Sequence, residues 1–356
     1  MNPAPPVTRA LIFQPPGNKD LNLKRLGALM KALIMAGGYA TRLWPITKDN
    51  PKALLPLGNK TILEYILEKV KELDVDVYIS TNRYFADKFK GFEVELIVED
   101  TVHEEEKLGT IAALKNAYEV LGEDDYLVIA GDNVFSFSLR DFVERYNGKT
   151  LIAVYDVGDF ELAKRYGVVV LEGNKVVDFE EKPAKPKTTL ISTGVYLFPK
   201  RVMDLLDDYL KEGNKDSPGY FLQWLLKRGE EIVAYRFDDY WYDIGSADSY
   251  LEAMKTLLKE SHIEEIQISP YAKIIPPVVI KRGTKILGRS IIGPYAYIGE
   301  ECVIENSDIS DSIIFPRTVI RNSTIWRSII DEKCEIRNLE LRKSLVGGHA
   351  KIQRGE

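Results

Sequence analysis

Seven isoleucines, Ile268, Ile274, Ile280, Ile286, Ile292, Ile298 and Ile304, follow one another at intervals of six residues without a miss. That period fits neither the 3.6-residue turn of a helix nor the sustained alternation of one strand. It fits a β-solenoid in which each repeat supplies one short strand and one turn, and three repeats close a triangular coil. Burying seven such side chains is worth roughly 1.5 to 3 kcal/mol each before ordering entropy is subtracted, so the stack is a core in itself. Beyond Ile304 the interval becomes five or six, through Ile309, Ile314, Ile320, Ile325, Ile330 and Ile336, which predicts further coils with tighter corners. Gly283, Gly288, Gly293 and Gly299 suit corners that need positive φ. The alternative is a β-sandwich, whose strands of about 5 to 6 residues plus a loop fit the period less well.

The rest of the chain reads differently. From about 31 to 260 short apolar runs alternate with helical patterns, the signature of an α/β domain with a mostly parallel, mixed sheet. Strands are expected at 31–36, 76–80, 94–98, 126–130, 151–155, 167–171, 175–180 and 191–198. Helices are expected at 61–74, 110–121, 200–212, 217–228 and 247–259. Residues 1–29 carry Pro3, Pro5, Pro6, Pro15, Pro16 and Gly17, which prevents regular structure from running far, and read as a disordered extension with Met30 as a natural start. The expected organisation is therefore an extension at 1–29, an α/β domain at 30–260 and a solenoid at 263–350.

Composition excludes several classes. The 356 residues carry 48 Lys plus Arg against 54 Asp plus Glu, a net charge of −6, with no long basic run, which disfavours binding to nucleic acid or to an anionic membrane. No run of 18 apolar residues addresses the chain to a membrane. Cys302 and Cys334 are the only cysteines, too few for a disulfide framework and without zinc-site spacing, so a reducing cytoplasmic setting is expected. The four glutamines, with abundant Lys and Glu, suit a thermophile.

The chemistry concentrates after the first strand, in GGYATRLWPITKDNPKALLPL from Gly37 to Leu57. A glycine pair at a strand end lets a ligand approach the backbone, whose N–H groups can cradle phosphate oxygens. Arg42 and Lys52, in a loop pinned by Pro45, Pro51 and Pro56, form a fixed cationic clamp for a polyphosphate. Neither a dinucleotide fingerprint nor a Walker A loop is present. Asp132, in Gly131-Asp132-Asn133-Val134-Phe135 at the carboxyl end of a strand, is placed to hold Mg2+ beside substrate phosphates, or else to cap a following helix. Asp243, in Trp241-Tyr242-Asp243-Ile244-Gly245, could equally be a turn residue.

The loop from Gly37 to Leu57 resembles the signature loop of the sugar-1-phosphate nucleotidylyltransferases, and later motifs follow in that family's order over roughly residues 31–245. One departure is Ala40, where the family usually has glycine, which could bend the loop slightly differently. The resemblance implies a Rossmann-like nucleotidyltransferase domain followed by a left-handed β-helix of hexapeptide repeats. It implies Asp132 and Asp243 as the Mg2+ ligands, with Arg42, Lys52 and Lys182 as the remaining catalytic residues. Ala36, Gly37, Gly38, Thr41, Leu108, Gly109 and Thr110 would bind the nucleotide. Gly167, Glu181, Lys182, Thr193, Gly194 and Trp241 would bind the sugar.

The expected substrates are then an NTP and a sugar 1-phosphate, with Mg2+ as cofactor and a homo-oligomer as the assembly. Glucose-1-phosphate thymidylyltransferase is the expected activity, from GDNVF and the stretch from Tyr166 to Pro183. The segment Leu108-Gly109-Thr110, preceded by Glu104, Glu105 and Glu106, is closer to guanylyl- or uridylyltransferases, so mannose-1-phosphate guanylyltransferase and the UTP-dependent glucose or N-acetylglucosamine enzymes stay as alternatives. In related bifunctional enzymes such a solenoid acetylates amino sugars with a histidine base. Here only His262 and His349 flank it, which favours a structural or regulatory role, supporting oligomers through its side faces. A regulatory subunit that binds sugar nucleotide without turnover is the non-enzyme alternative.

Overall fold

The computed structural model describes residues 30–354, so the expectation for 1–29 lies outside the described residues. Nine strands form one twisted sheet in the order Glu95–Glu99, Asp76–Asn82, Met30–Met35, Asp125–Ala130, Leu190–Phe198, Thr150–Asp156, Ile232–Phe237, Lys175–Glu181 and Gly167–Glu172. The first four of these pair in parallel, as expected of apolar runs separated by helical crossovers. Leu190–Phe198 enters antiparallel between Asp125–Ala130 and Thr150–Asp156 and makes the sheet mixed.

The helices form where apolar periodicity meets a cap. Ile62–Val70 starts with a capping box between Thr61 and Glu64 and buries Ile62, Leu63, Ile66 and Val70. Thr110–Leu121 follows Gly109, whose φ of +89° and close approach to the Lys215 carbonyl leave no room for a side chain. The expected helix at 200–212 is broken into Lys200–Met203 and Leu206–Glu212. Among the described residues no helix is long and apolar enough to cross a membrane.

From His262 to Gln353 the chain winds as a left-handed β-helix of three parallel sheets. In one of them Ile268, Ile286, Ile304, Ile320, Ile336 and Ile352 stack in register, so the coil shortens from 18 to 16 residues after Ile304, where the sequence period slips. Gly283, Gly288 and Gly293 take positive φ at corners and Gly299 does not. Later corners use Asn306, Asn322 and Asn338, and Arg317, Lys333 and His349, in the left-handed region. The expectation that all seven isoleucines are buried fails at one end. Ile268 is 47% exposed because no coil lies beneath the first one, whereas Ile280, Ile286, Ile292, Ile298 and Ile304 are fully buried.

The solenoid does not hang free. Val279, Tyr297, Ile313 and Ile329, on its outer face, join the same buried cluster as Ile46, Leu57 and Met254 of the α/β part. Arg327 adds ion pairs to Asp248 and Glu252 of the helix Ala247–Leu257 at 3.2 and 2.8 Å.

Candidate active site

The first strand ends at Met35, where the Gly131 N–H donates to its carbonyl at 2.9 Å. A Cβ on Gly131 would lie 2.8 Å from that oxygen, so only glycine lets the two strand ends approach this closely. Beyond Gly37 and Gly38, Ala40 takes φ 53° and ψ 38°, the left-handed conformation that favours glycine. Its carbonyl accepts from the Thr47 hydroxyl at 2.8 Å and from the Leu43 N–H at 2.9 Å, which fixes the bend. Two single helical turns follow, Thr41–Leu43 carrying Arg42 and Lys52–Leu54 opening on Lys52.

Lys52 Nζ reaches Asp132 Oδ2 at 2.9 Å, and Asp132 Oδ1 accepts from the Asn133 amide at 2.8 Å. Asp132 is followed by a strand, Asn133–Phe135, so it caps no helix. That strand pairs antiparallel with Trp241–Asp243, setting Asp243 opposite Asn133, and the Ile244 N–H donates to the Asp132 carbonyl at 3.0 Å. This two-strand ribbon, absent from the sequence reading, is what brings the two carboxylates together. Burial, and next the neighbouring Asp132 carboxylate, push the Asp243 carboxyl up to about 6 against the pull of Lys52, Arg42 and Lys182. Burial also works to raise Asp132, but Lys52 and the Asn133 amide outweigh it and hold that carboxyl below its ordinary value. Arg42, Lys52, Asp132, Lys182 and Asp243 therefore share one electrostatic neighbourhood.

The two carboxylates fit a magnesium ion. Among the described residues there is no cluster of three or more metal-ligating side chains. Mg2+ needs only one or two carboxylates when substrate phosphates supply further oxygens, and the repulsion that raises Asp243 is what a cation between the pair would relieve.

A cavity of about 460 Å³ opens beside them, lined by Ala36, Gly37, Gly38, Thr41, Arg42, Lys52, Gly109, Thr110, Asp132 and Gly194 of the expected set. Leu108 does not line it. Glu181, Lys182, Gly167, Thr193 and Trp241 lie outside the cavity wall as well. Glu181 Oε1 accepts from the Ser217 hydroxyl at 2.7 Å, and a Cβ on Gly219 would come within 1.8 Å of Oε2, so Gly219 makes room for this carboxylate. Lys182, with φ +48°, stays exposed beside it. The Thr193 hydroxyl donates to the Ala153 carbonyl at 3.0 Å and its own carbonyl accepts from the Trp241 indole at 3.3 Å, so Thr193 acts here by holding Trp241 in place.

Sequence reasoning missed Ser217, Gly219, Tyr196 and Glu99. Tyr196 lines the cavity from a strand read only as core, and Glu99 from the position just past the expected strand at 94–98. Lys107 and Asp216 pair at 3.1 Å across the cavity rim, joining the segment before Thr110–Leu121 to the turn before Pro218–Lys227.

Residues 31–260 match the family model described as nucleotidyl transferase. The chain is 28% identical over 310 residues to the glucose-1-phosphate thymidylyltransferase of Streptomyces griseus, covering 80% of this chain and 87% of that protein. It is 30% identical over 321 residues to the bifunctional protein GlmU of Methanocaldococcus jannaschii, covering 81% and 74%. A putative mannose-1-phosphate guanyltransferase of Sulfolobus acidocaldarius is 29% identical over 293 residues, covering 80% and 76%. Among solved structures, a putative glucose-1-phosphate thymidylyltransferase from Bacillus anthracis, in complex with sucrose, superimposes with a TM-score of 0.57 at 28% identity, over 65% of this chain and 97% of that one.

Proposed function

The chain belongs to the nucleotidyl transferase family, and from that premise we propose that its cleft joins an NTP to a sugar 1-phosphate, giving an NDP-sugar and pyrophosphate. The observation that carries the proposal is the Lys52–Asp132 ion pair at 2.9 Å on the wall of a cavity that Arg42 also lines, with Asp243 held beside Asp132 by the two-strand ribbon. Arg42, Lys52 and Asp132 on the wall of one open cavity, with Asp243 and Lys182 just outside it, suit the meeting of two phosphates.

An oxygen of the sugar phosphate attacks the α-phosphorus in line, and the bond to the bridging oxygen of the pyrophosphate breaks. The attacking oxygen is already anionic, so no general base is required. Positioning and charge stabilisation supply the rate. Arg42 holds the departing pyrophosphate and its growing charge. Lys52 and Lys182 offset the repulsion between the two phosphates, and the backbone at Gly37 and Gly38 lets the triphosphate lie against the loop. When bound at Asp132 and Asp243, Mg2+ supplies charge neutralisation at the phosphate oxygens. Glu181 offers an acceptor to a sugar hydroxyl once its bond to Ser217 is exchanged.

In the same reading residues 30–260 are the catalytic unit and 263–350 a structural arm that supports a homo-oligomer. A regulatory subunit without turnover is disfavoured because Arg42, Lys52, Asp132, Lys182 and Asp243 are all intact in the sequence. The test is pyrophosphate release with Mg2+ across five nucleoside triphosphates, each paired with glucose, mannose, galactose and N-acetylglucosamine 1-phosphates. Turnover supports the reading; silence in every combination, from folded protein, overturns it.

A further inference from the structure

We propose that the solenoid sheet running from Gln267–Ile268 to Lys351–Gln353 docks a second copy of this chain face to face across a two-fold axis, with the two solenoids antiparallel. This rests on the reading of the solenoid as an arm that supports a homo-oligomer, and deepens it by fixing the face, the symmetry and the contacts.

Of the three solenoid faces, one is already taken, because Val279, Tyr297, Ile313 and Ile329 bury it against the α/β part. In the six-strand sheet Ile286, Ile304, Ile320 and Ile336 point into the core, so the residues on either side of each point outward. One outward column runs Lys285, Val303, Val319, Glu335 in register. The column beside it carries Glu305 and Arg321, paired within the chain at 2.9 Å. Lys285 is exposed, and among the described residues its ammonium has no ion-pair partner.

A two-fold axis lying in the interface, parallel to the strands, keeps each column facing itself and reverses the order of the coils. With six strands, that axis falls between Val303–Glu305 and Val319–Arg321. Lys285 then faces Glu335 of the second copy, Val303 faces Val319, and Glu305 faces Arg321, each contact occurring twice. The outermost strands set Gln267 against Lys351, so no row brings like charge to like. The Glu305–Arg321 pair of each chain becomes half of a four-charge network. The other outward face lacks this symmetry. It has five strands, so the same axis falls on the middle one, Asp308–Ser310, and sets Asp308 against its own copy. Charge complementarity of this kind fixes partner and register more than raw affinity.

The experiment is sedimentation of the full chain, without substrates, at concentrations up to about 100 μM, for the parent, Lys285→Glu and Glu335→Lys. The proposal expects a dimer from the parent, weakened by added salt. Either variant alone should associate at least about tenfold more weakly, because it sets like charges opposite each other twice. An equimolar mixture of the two variants should recover the parent's dimer, since each then meets the other's opposite charge. Melting temperatures within a few degrees of the parent's show that the variants fold; should a reversal unfold the chain, Lys285→Gln, which removes the charge without reversing it, should still weaken the dimer several-fold. A trimer, a dimer that the variants leave unchanged, or folded variants that stay monomeric when mixed would overturn the face and leave the homo-oligomer standing. A monomer from the parent at every concentration overturns both, and none of these outcomes bears on nucleotidyl transfer.

Discussion

Gly347, in the last turn of the solenoid, faces Pro45 of the Gly37–Leu57 loop so closely that a Cβ on it would lie 2.6 Å from the Pro45 ring. Pro45 sits between Arg42 and Lys52, so the solenoid is a backstop for the loop that carries both cations. Gly347→Val must push Pro45 or be pushed. We expect kcat to fall several-fold with a melting temperature within a few degrees of the parent. Unchanged kinetics from a variant that keeps the fold would show that the loop holds its shape without the solenoid.

Asp243 gives a pH-dependent prediction. Its folded-state pKa of about 6 lies above the roughly 3.9 of an unfolded aspartate, so ionising it costs the folded state stability, in full above about pH 6. As pH falls from 6 towards 4 the folded state takes up the proton first and the cost fades. Asp243→Asn should therefore raise the melting temperature of the metal-free protein at pH 8 and change it little at pH 4, while abolishing Mg2+-dependent turnover. Melting curves at the two pH values check this; a variant less stable than the parent at pH 8 contradicts it.

Much of this was legible beforehand. The six-residue isoleucine period favours a solenoid over a β-sandwich because one short strand and one turn per repeat bury one side chain at that spacing, and the slip after Ile304 reappears as shorter coils. The pairing of Asn133–Phe135 with Trp241–Asp243 was not legible. Three-residue strands about a hundred residues apart leave no periodicity to read, and only their pairing explains why Asp132 and Asp243 meet. Glu99 escaped for a related reason. Its place at the end of an apolar edge strand gives no motif.

Ala40 occupies the left-handed region, at a cost of about 1 to 2 kcal/mol relative to glycine, offset in part by glycine's greater freedom when unfolded. Ala40→Gly should stabilise the protein by up to about 1 kcal/mol with activity retained. Chemical denaturation measures it, and a clear loss of stability would mean that the Ala40 side chain makes a contribution larger than its strain.

The composition that suits a thermophile gives a further expectation, a melting temperature above about 65 °C, the top of the usual mesophile range. Calorimetry on the full chain decides it, and a lower value removes the reading.

If the charges gathered around Asp243 perform nucleotidyl transfer, the loss of Arg42 must show it most directly. Single-turnover release of pyrophosphate should be compared between the parent and Arg42→Ala at saturating nucleotide, sugar phosphate and Mg2+. The loss of one such charge contact predicts a fall on the order of 10² to 10³ with the melting temperature unchanged. A fall of less than about tenfold, near 1.4 kcal/mol, from a folded variant would mean that Arg42 does not hold the departing pyrophosphate.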